Sequence, residues 1–263
     1  MIGKEFVSHV LSIENEEEKV RVLIDFCLKR IGEITQDEAL VKALKSKKVN
    51  IHTMSIQELK EVYKSKGGKN EHTSAFYQPT TKSVFTPHIK TEKDVMNFVH
   101  EYLHALSHFE ENGAFKFGVM LPPANKNYKK SNLFNEGMNV KAVDMILGYP
   151  ASSSYSEDRK IVDVVQAMCG LSDAEMLRRN FSEKPWITEE VKENFNPENP
   201  EAIIEFLENY TDNREMDIVE SQYLPKASPK TKTRAEAVLN DMKEKERERL
   251  AQVGDDDDGW GMI

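Results

Sequence analysis

Residues 97 to 109, with the sequence NFVHEYLHALSHF, place three histidines and one glutamate within a single amphipathic pattern. The apolar side chains in and just before this stretch recur every three or four positions, which is the period of an α-helix with one buried face. They are Val95, Phe98, Val99, Tyr102, Leu103 and Leu106. Thr91 and Asp94 precede the pattern with the spacing of a capping box. The sequence therefore predicts one well-capped helix that carries the quoted stretch.

The spacing of His100, Glu101 and His104 suits metal-dependent hydrolysis. Residues four apart on an α-helix lie above one another, about 6 Å apart along the axis, so both imidazoles can bind one ion. Glu101 is rotated by about 100° from His100, which places its carboxylate beside the ion, where it can take a proton from water. The pattern H-E-x-x-H serves zinc peptidases in this way. The same pattern also arises by chance, so its context has to support it.

A zinc ion in a hydrolytic site needs a third protein ligand, and the sequence offers three candidates. His108 continues the four-residue spacing, but it lies about 12 Å along the axis from His100, too far for one ion unless the helix ends between them. Glu110 stands where one group of zinc peptidases has its third ligand, but that group requires a glycine where this chain has Ser107. Glu136 begins a second amphipathic pattern, beside a glycine that permits close backbone approach.

Residues 100–104 and the tripeptide NEG at 135–137 resemble the gluzincin branch of the zincin metallopeptidases. In that branch, H-E-x-x-H on one helix is completed by a glutamate from a later helix. The resemblance covers about residues 48 to 170. The tripeptide NEG, followed by YSEDRKIVDVV at 155–165, is similar to a pattern common among small bacterial and phage-type metallopeptidases. The resemblance implies a zincin-like α+β fold, mostly helical, with a small twisted sheet beside the motif helix. The zinc ligands that it implies are His100, His104 and Glu136.

The same resemblance implies hydrolysis of peptide bonds with Glu101 as general base and a tyrosine that donates to the oxyanion. Tyr155, just before a predicted third helix, is the preferred donor, and Tyr128, in the preceding loop, is the alternative. A surface or packing role is the other interpretation of both. Apart from the resemblance, Asp144 lies about two turns after Glu136 and is a candidate acceptor for one of the histidines, with an ordinary exposed or capping aspartate as the other interpretation. By analogy with zincins, residues 82–89 (KSVFTPHI) or their hairpin partner would pair with extended substrate.

The remaining patterns predict the other elements and the domain organisation. We expect helices at 16–31, near 36–46 and at about 55–66, a strand within 48–55, a hairpin over 74–89, a long loop over 111–132, a ligand helix from 133 or 135 to 148, and a helix at 156–169. The predicted organisation is an N-terminal helical segment (1–47), a zincin-like core (48–170), a C-terminal helical region packed on the core (171–253) and a disordered acidic tail (254–263).

Composition limits the partners and the compartment. The formal charge of the 263 residues is -9, which disfavours nucleic acid and anionic membranes and leaves a peptide or protein as the expected substrate. Cys27 and Cys169 lie inside apolar helical patterns and predict reduced, buried thiols. The sequence shows no signal peptide and no membrane span, so we expect a cytoplasmic protein, with export by other routes and the oligomeric state left open.

Two rival functions remain at this stage. One is a catalytically inactive zincin-fold protein with an interaction or regulatory role, and the other is an accidental motif without metal. An intact Glu101 argues against the first, because a purely structural zinc site has no use for a base.

Overall fold

The computed structural model describes residues 2–68, 74–111, 114–117, 128–150, 156–181, 187–209, 224 and 228–255. Within these ranges the chain forms eleven α-helices and five strands. The helices are α1 (Ile2–Ser12), α2 (Glu16–Thr35), α3 (Glu38–Ser46), α4 (Ile56–Ser65), α5 (Glu92–Ser107), α6 (Tyr128–Leu147), α7 (Ser156–Cys169), α8 (Asp173–Phe181), α9 (Glu189–Phe195), α10 (Ala202–Asn209) and α11 (Pro229–Asp255). The strands are β1 (Asn50–Met54), β2 (Phe76–Gln78), β3 (Ser83–Pro87), β4 (His108–Glu111) and β5 (Ala114–Phe117).

Three of the strands form a small mixed sheet in the order β1-β3-β2. The central strand β3 is buried along its whole length and pairs in parallel with β1 and antiparallel with β2. A 3-10 turn at Pro79–Thr81 joins β2 to β3. The predicted strand and hairpin are thus confirmed, and so is the α+β class in its coarse form, mostly helical with one small mixed sheet.

The helix starts follow the local sequence closely. Ser55 and Glu58 form a reciprocal capping box at the start of α4, and Thr91 and Asp94 form another at the start of α5. The side chain of Asn15 accepts the Glu18 N–H at 2.9 Å and begins α2. Each of these contacts satisfies a backbone donor that the first turn of a helix leaves without a partner.

The predicted long loop over 111–132 is wrong at both ends. Strands β4 and β5 pair antiparallel directly after α5, with His108 opposite Phe117. Helix α6 begins at Tyr128, several residues before the predicted start. Its first turns carry the polar run KKSN, which has no apolar period, so the pattern did not reveal them. Strands β4 and β5 are four residues each. Next to glycine and asparagine, the alternation of apolar and polar side chains is too short to predict them.

Helix α6 lies between two hydrophobic clusters. Its first half, with Phe134 and Met138, packs in a cluster with α7, α9, α10 and α11. Its second half, with Val143 and Ile146, packs in a cluster with α1, α2, α3, α5 and α8. The N-terminal helices and α8 therefore share a core with the motif helix, while the predicted domain boundaries stay a prediction. The predicted acidic tail lies outside the described residues from 256 onward.

Basic side chains from distant elements hold the ends of the two helices that carry the candidate site. The Lys47 Nζ donates to the carbonyl oxygens of Leu106, at 2.5 Å, and His108, at 3.0 Å, where α5 ends. Arg30 of α2 donates to two carbonyls in the last turn of α6, at 3.2 and 3.4 Å. A cation at a helix C-terminus satisfies open carbonyls and opposes the negative end of the helix dipole. Among the described helices, none combines the length and apolar character needed to cross a membrane.

Candidate metal centre

The structure brings the three predicted ligands together between α5 and α6. His100 and His104 project from one face of α5, and Glu136 faces them from α6. The Nε2 atoms of the two histidines lie 3.1 Å apart, and Oε2 of Glu136 lies 2.9 Å from His100 Nε2 and 3.2 Å from His104 Nε2. The three side chains are 13–14% exposed, so the cluster is sheltered but accessible. Among the described residues, this is the group of side chains able to hold a metal ion.

The donor set fits a zinc ion. Zinc bonds to imidazole nitrogen and carboxylate oxygen of about 2.0–2.2 Å place tetrahedral ligand atoms about 3.3 Å apart, slightly farther than the distances here. Protons satisfy this triangle poorly. One proton on His104 Nε2 leaves His100 Nε2 and the Glu136 oxygen as two acceptors 2.9 Å apart, and protons on both nitrogens would bring two N–H groups against each other. One cation would bind a lone pair from each of the three atoms. Two imidazoles and one carboxylate also leave a fourth zinc position for water.

Charge couples the candidate ligands strongly. Burial disfavours the charged form of His104, but the Glu136 carboxylate outweighs this and raises the His104 pKa to about 9. Burial also opposes ionisation of Glu136, yet the two histidines hold the pKa of its carboxyl well below the ordinary value. Without metal, the cluster at neutral pH is an ion pair between His104 and Glu136, and a metal ion would have to displace the imidazole proton.

Glu101 lies beside the ligands, partly buried. Burial raises the pKa of its carboxyl, although the neighbouring histidines and the N–H of Tyr77, which donates to the carboxylate, act in the opposite direction. A raised pKa makes a carboxylate a stronger base near neutral pH. Its position and its environment therefore suit the acceptance of a proton from water.

Tyr77 is a residue of the site that the sequence did not reveal. It lies in β2, and its hydroxyl oxygen is 2.6 Å from Nδ1 of His108. Burial raises the pKa of Tyr77 to about 12, so the hydroxyl keeps its proton and forms a hydrogen bond with that nitrogen. Its alternating neighbours predicted a hairpin strand, but no local signal indicates that this strand contacts Glu101.

Close packing of α6 on α7 positions Glu136. A Cβ built on Gly137 would lie 2.5 Å from the backbone oxygen of Asp158 in α7, which confirms that the glycine permits close approach. Further along α6, the buried Lys141 forms an ion pair with Asp163 of α7.

Asp144 of α6 forms an ion pair with Nε of Arg159 in α7 at 2.6 Å. This contact assigns Asp144, a candidate acceptor for a histidine, to the packing of α6 on α7. The buried pairs between the two helices restrict how they slide against each other, because a displaced partner would leave a buried charge uncompensated.

The other sequence candidates fall elsewhere or outside the described part of the chain. Helix α5 ends at Ser107, and His108 begins β4 with its side chain buried against Tyr77, outside the group of described side chains that could hold a metal. The backbone of Glu110 lies in β4, but its side chain is outside the described atoms. The same holds for the side chain of Tyr128, at the start of α6, whereas Tyr155 lies wholly outside the described residues.

Comparison of the chain with known protein families, curated proteins and solved structures gave no match. The gluzincin resemblance therefore depends on the two short motifs and on the arrangement of their side chains.

Proposed function

We propose that the protein is a zinc-dependent metallopeptidase of the gluzincin type with a zincin-like core. The observation that carries the proposal is the triangle of His100, His104 and Glu136, with Glu101 beside it. Chance occurrences of H-E-x-x-H have no reason to meet a carboxylate that lies 32 positions further along the chain. The charge, geometry and partial exposure of this cluster support hydrolysis better than a closed structural zinc site.

A zinc ion held by these three residues would supply a Lewis acid that acidifies water and polarises the substrate carbonyl. Glu101 would accept the proton of the attacking water on a carboxylate oxygen and pass it to the leaving amine. Its raised pKa helps the first transfer, and the Tyr77 N–H keeps the carboxylate in one orientation. Tyr155 stays the predicted donor to the oxyanion.

The strand order of the sheet limits which strand an extended substrate could pair with. Strand β3 contains most of residues 82–89. It pairs with β1 on one side and with β2 on the other, so both of its edges are already hydrogen-bonded within the sheet. Its hairpin partner β2 is the last strand on that side of the sheet and contacts α5. We therefore assign substrate pairing to β2 rather than to β3, through hydrogen-bond acceptors of its outer edge, since the Tyr77 N–H there donates to Glu101.

Glu101→Gln tests the proposal directly. The variant keeps the size of the side chain and removes the base, so we expect unchanged zinc content and a loss of peptide cleavage of about 10³-fold or more. The matched control is Glu61→Gln on the exposed face of α4, which should cleave like the parent. The assay is cleavage of a mixed peptide library by the zinc-loaded protein, with and without chelator.

The outcomes separate the rivals. Cleavage by Glu101→Gln at the parental rate would refute Glu101 as the base. A parent that binds one zinc ion and cleaves no peptide would indicate a zincin-fold interaction or regulatory protein. A parent that binds no zinc would show that the motif is accidental.

A further inference from the structure

The backbone of Tyr77 links the sheet to the general base. In an antiparallel pair, residues alternate between pairs that exchange both backbone hydrogen bonds and pairs whose N–H and C=O groups point away from the partner strand. Tyr77 lies opposite Val84 of β3, and its N–H donates to the Glu101 carboxylate. Tyr77 and Val84 are therefore a pair of the second kind. The base is held by a donor of strand β2, not by its own helix.

The side chain of Tyr77 is held at its far end. Besides the hydrogen bond between its hydroxyl and His108, the two rings meet edge-on with centroids 5.6 Å apart. This partner is itself fixed, because His108 is 7% exposed and its carbonyl oxygen accepts a hydrogen bond from Lys47. One residue thus connects the carboxylate of Glu101 to the chain directly beyond the end of α5.

We propose that Tyr77 is a positioning residue for catalysis: its hydroxyl, anchored on His108, fixes strand β2 so that its backbone N–H holds Glu101 in the orientation that accepts a proton. This inference rests on the proposed function. Phe76 of the same strand stacks on Phe85 of β3 and packs edge-on against Tyr63, which holds β2 on the side of β3 and α4. The ring of Tyr77 adds a contact to the chain beyond the end of α5, on the side where the strand meets Glu101.

Tyr77→Phe tests the anchor, because it removes the hydroxyl and keeps the ring and the backbone N–H. The matched control is Tyr63→Phe, the same chemical change on a ring of α4 that packs edge-on against Phe76 of the same strand. Both variants are compared with the parent as zinc-loaded full-length proteins for kcat, KM and zinc affinity. Nitrogen-15 NMR of the histidine rings reports the hydrogen bonding of His108 Nδ1 and does not depend on turnover.

We expect Tyr77→Phe to lower kcat about tenfold or more, as loss of an outer contact of a metal site does, with KM and zinc affinity changed by less than about twofold. The Nδ1 signal of His108 should shift in Tyr77→Phe and stay unchanged in Tyr63→Phe. His108→Asn keeps a side chain that can donate or accept a hydrogen bond near the position of Nδ1 and should retain most of the kcat. His108→Leu removes the partner of the Tyr77 hydroxyl and should reproduce the loss.

Parental kcat in Tyr77→Phe, beside an active parent, would overturn this inference and leave the proposed function standing. A fall in zinc affinity that matches the fall in kcat would also overturn it, since Tyr77 would then act through the metal ligands. A parent without zinc-dependent cleavage would overturn both proposals. If Tyr77→Phe does not fold, the two His108 variants decide, and equal kcat in both would refute the anchor.

Discussion

On the proposed function, Gly137→Ala should weaken zinc binding without removing any ligand. The added methyl group would lie 2.5 Å from the backbone oxygen of Asp158, 2.6 Å from its carbonyl carbon and 3.0 Å from the backbone nitrogen of Arg159. These are main-chain atoms, so no rotamer change relieves the overlap. Reaching an ordinary contact of about 3.4 Å requires α6 and α7 to separate by nearly 1 Å beside Glu136. Metal sites tolerate ligand displacements of only about 0.2 Å.

We therefore expect Gly137→Ala to reduce zinc affinity about 10- to 100-fold and to lower the free energy of unfolding by about 1–3 kcal/mol, as overpacking does. Competitive zinc titration and chemical denaturation measure the two effects. The control is Gly148→Ala, just after the end of the same helix, where φ is +76° and a Cβ meets no atom within 4 Å. It should lose stability through backbone strain and keep its zinc affinity. Parental zinc affinity in Gly137→Ala would refute the positioning of Glu136 by close helix packing.

Two further predictions concern the charges of the site and the end of the motif helix. On the proposed function, zinc would have to displace the proton that His104 holds up to a pKa of about 9. Zinc affinity should therefore rise about tenfold per pH unit as the pH approaches 9 and then level off, measured by titration at several pH values. Because the pKa of His104 is raised above its unfolded value, its ion pair with Glu136 stabilises the metal-free protein fully below about pH 6.5. That stabilisation should disappear as the pH rises through about 9. A zinc affinity that does not change with pH would contradict the raised pKa on which both expectations depend. Lys47→Met removes the donor to two carbonyls at the end of α5 and should cost about 1–2 kcal/mol in chemical denaturation, while the exposed Lys48→Met should cost little; equal stabilities would refute the cap.

The elements that could be predicted are those whose signals lie within a few residues of one another. The periodic apolar residues and the capping box of Thr91 and Asp94 predicted α5, and the structure confirms it. The alternation around Pro79–Thr81 predicted the hairpin in the same way. The prediction failed for the start of α6 and for the ribbon of β4 and β5, where the local pattern is polar or short.

The residues of the candidate site also differ in whether local sequence could predict them. The sequence placed His100 and His104 on one helical face because their spacing alone determines it. It offered Glu136 as one of three candidates, from a second amphipathic pattern beside a glycine, and only the resemblance preferred Glu136 over His108 and Glu110. The ion pair between Asp144 and Arg159 depends on how α6 packs against α7, so no spacing within one helix could reveal it.

By itself, then, the sequence determined the motif helix, its caps, the small hairpin and the pairing of two imidazoles with a neighbouring carboxylate, because each depends on backbone geometry over a few residues. Only the tertiary structure decided that a carboxylate from α6 meets both imidazoles, that β2 is the edge strand and that Tyr77 reaches Glu101. Those contacts join residues far apart in the chain. They form because burial of apolar faces and buried ion pairs fix the helices and strands relative to one another, which local sequence patterns do not encode.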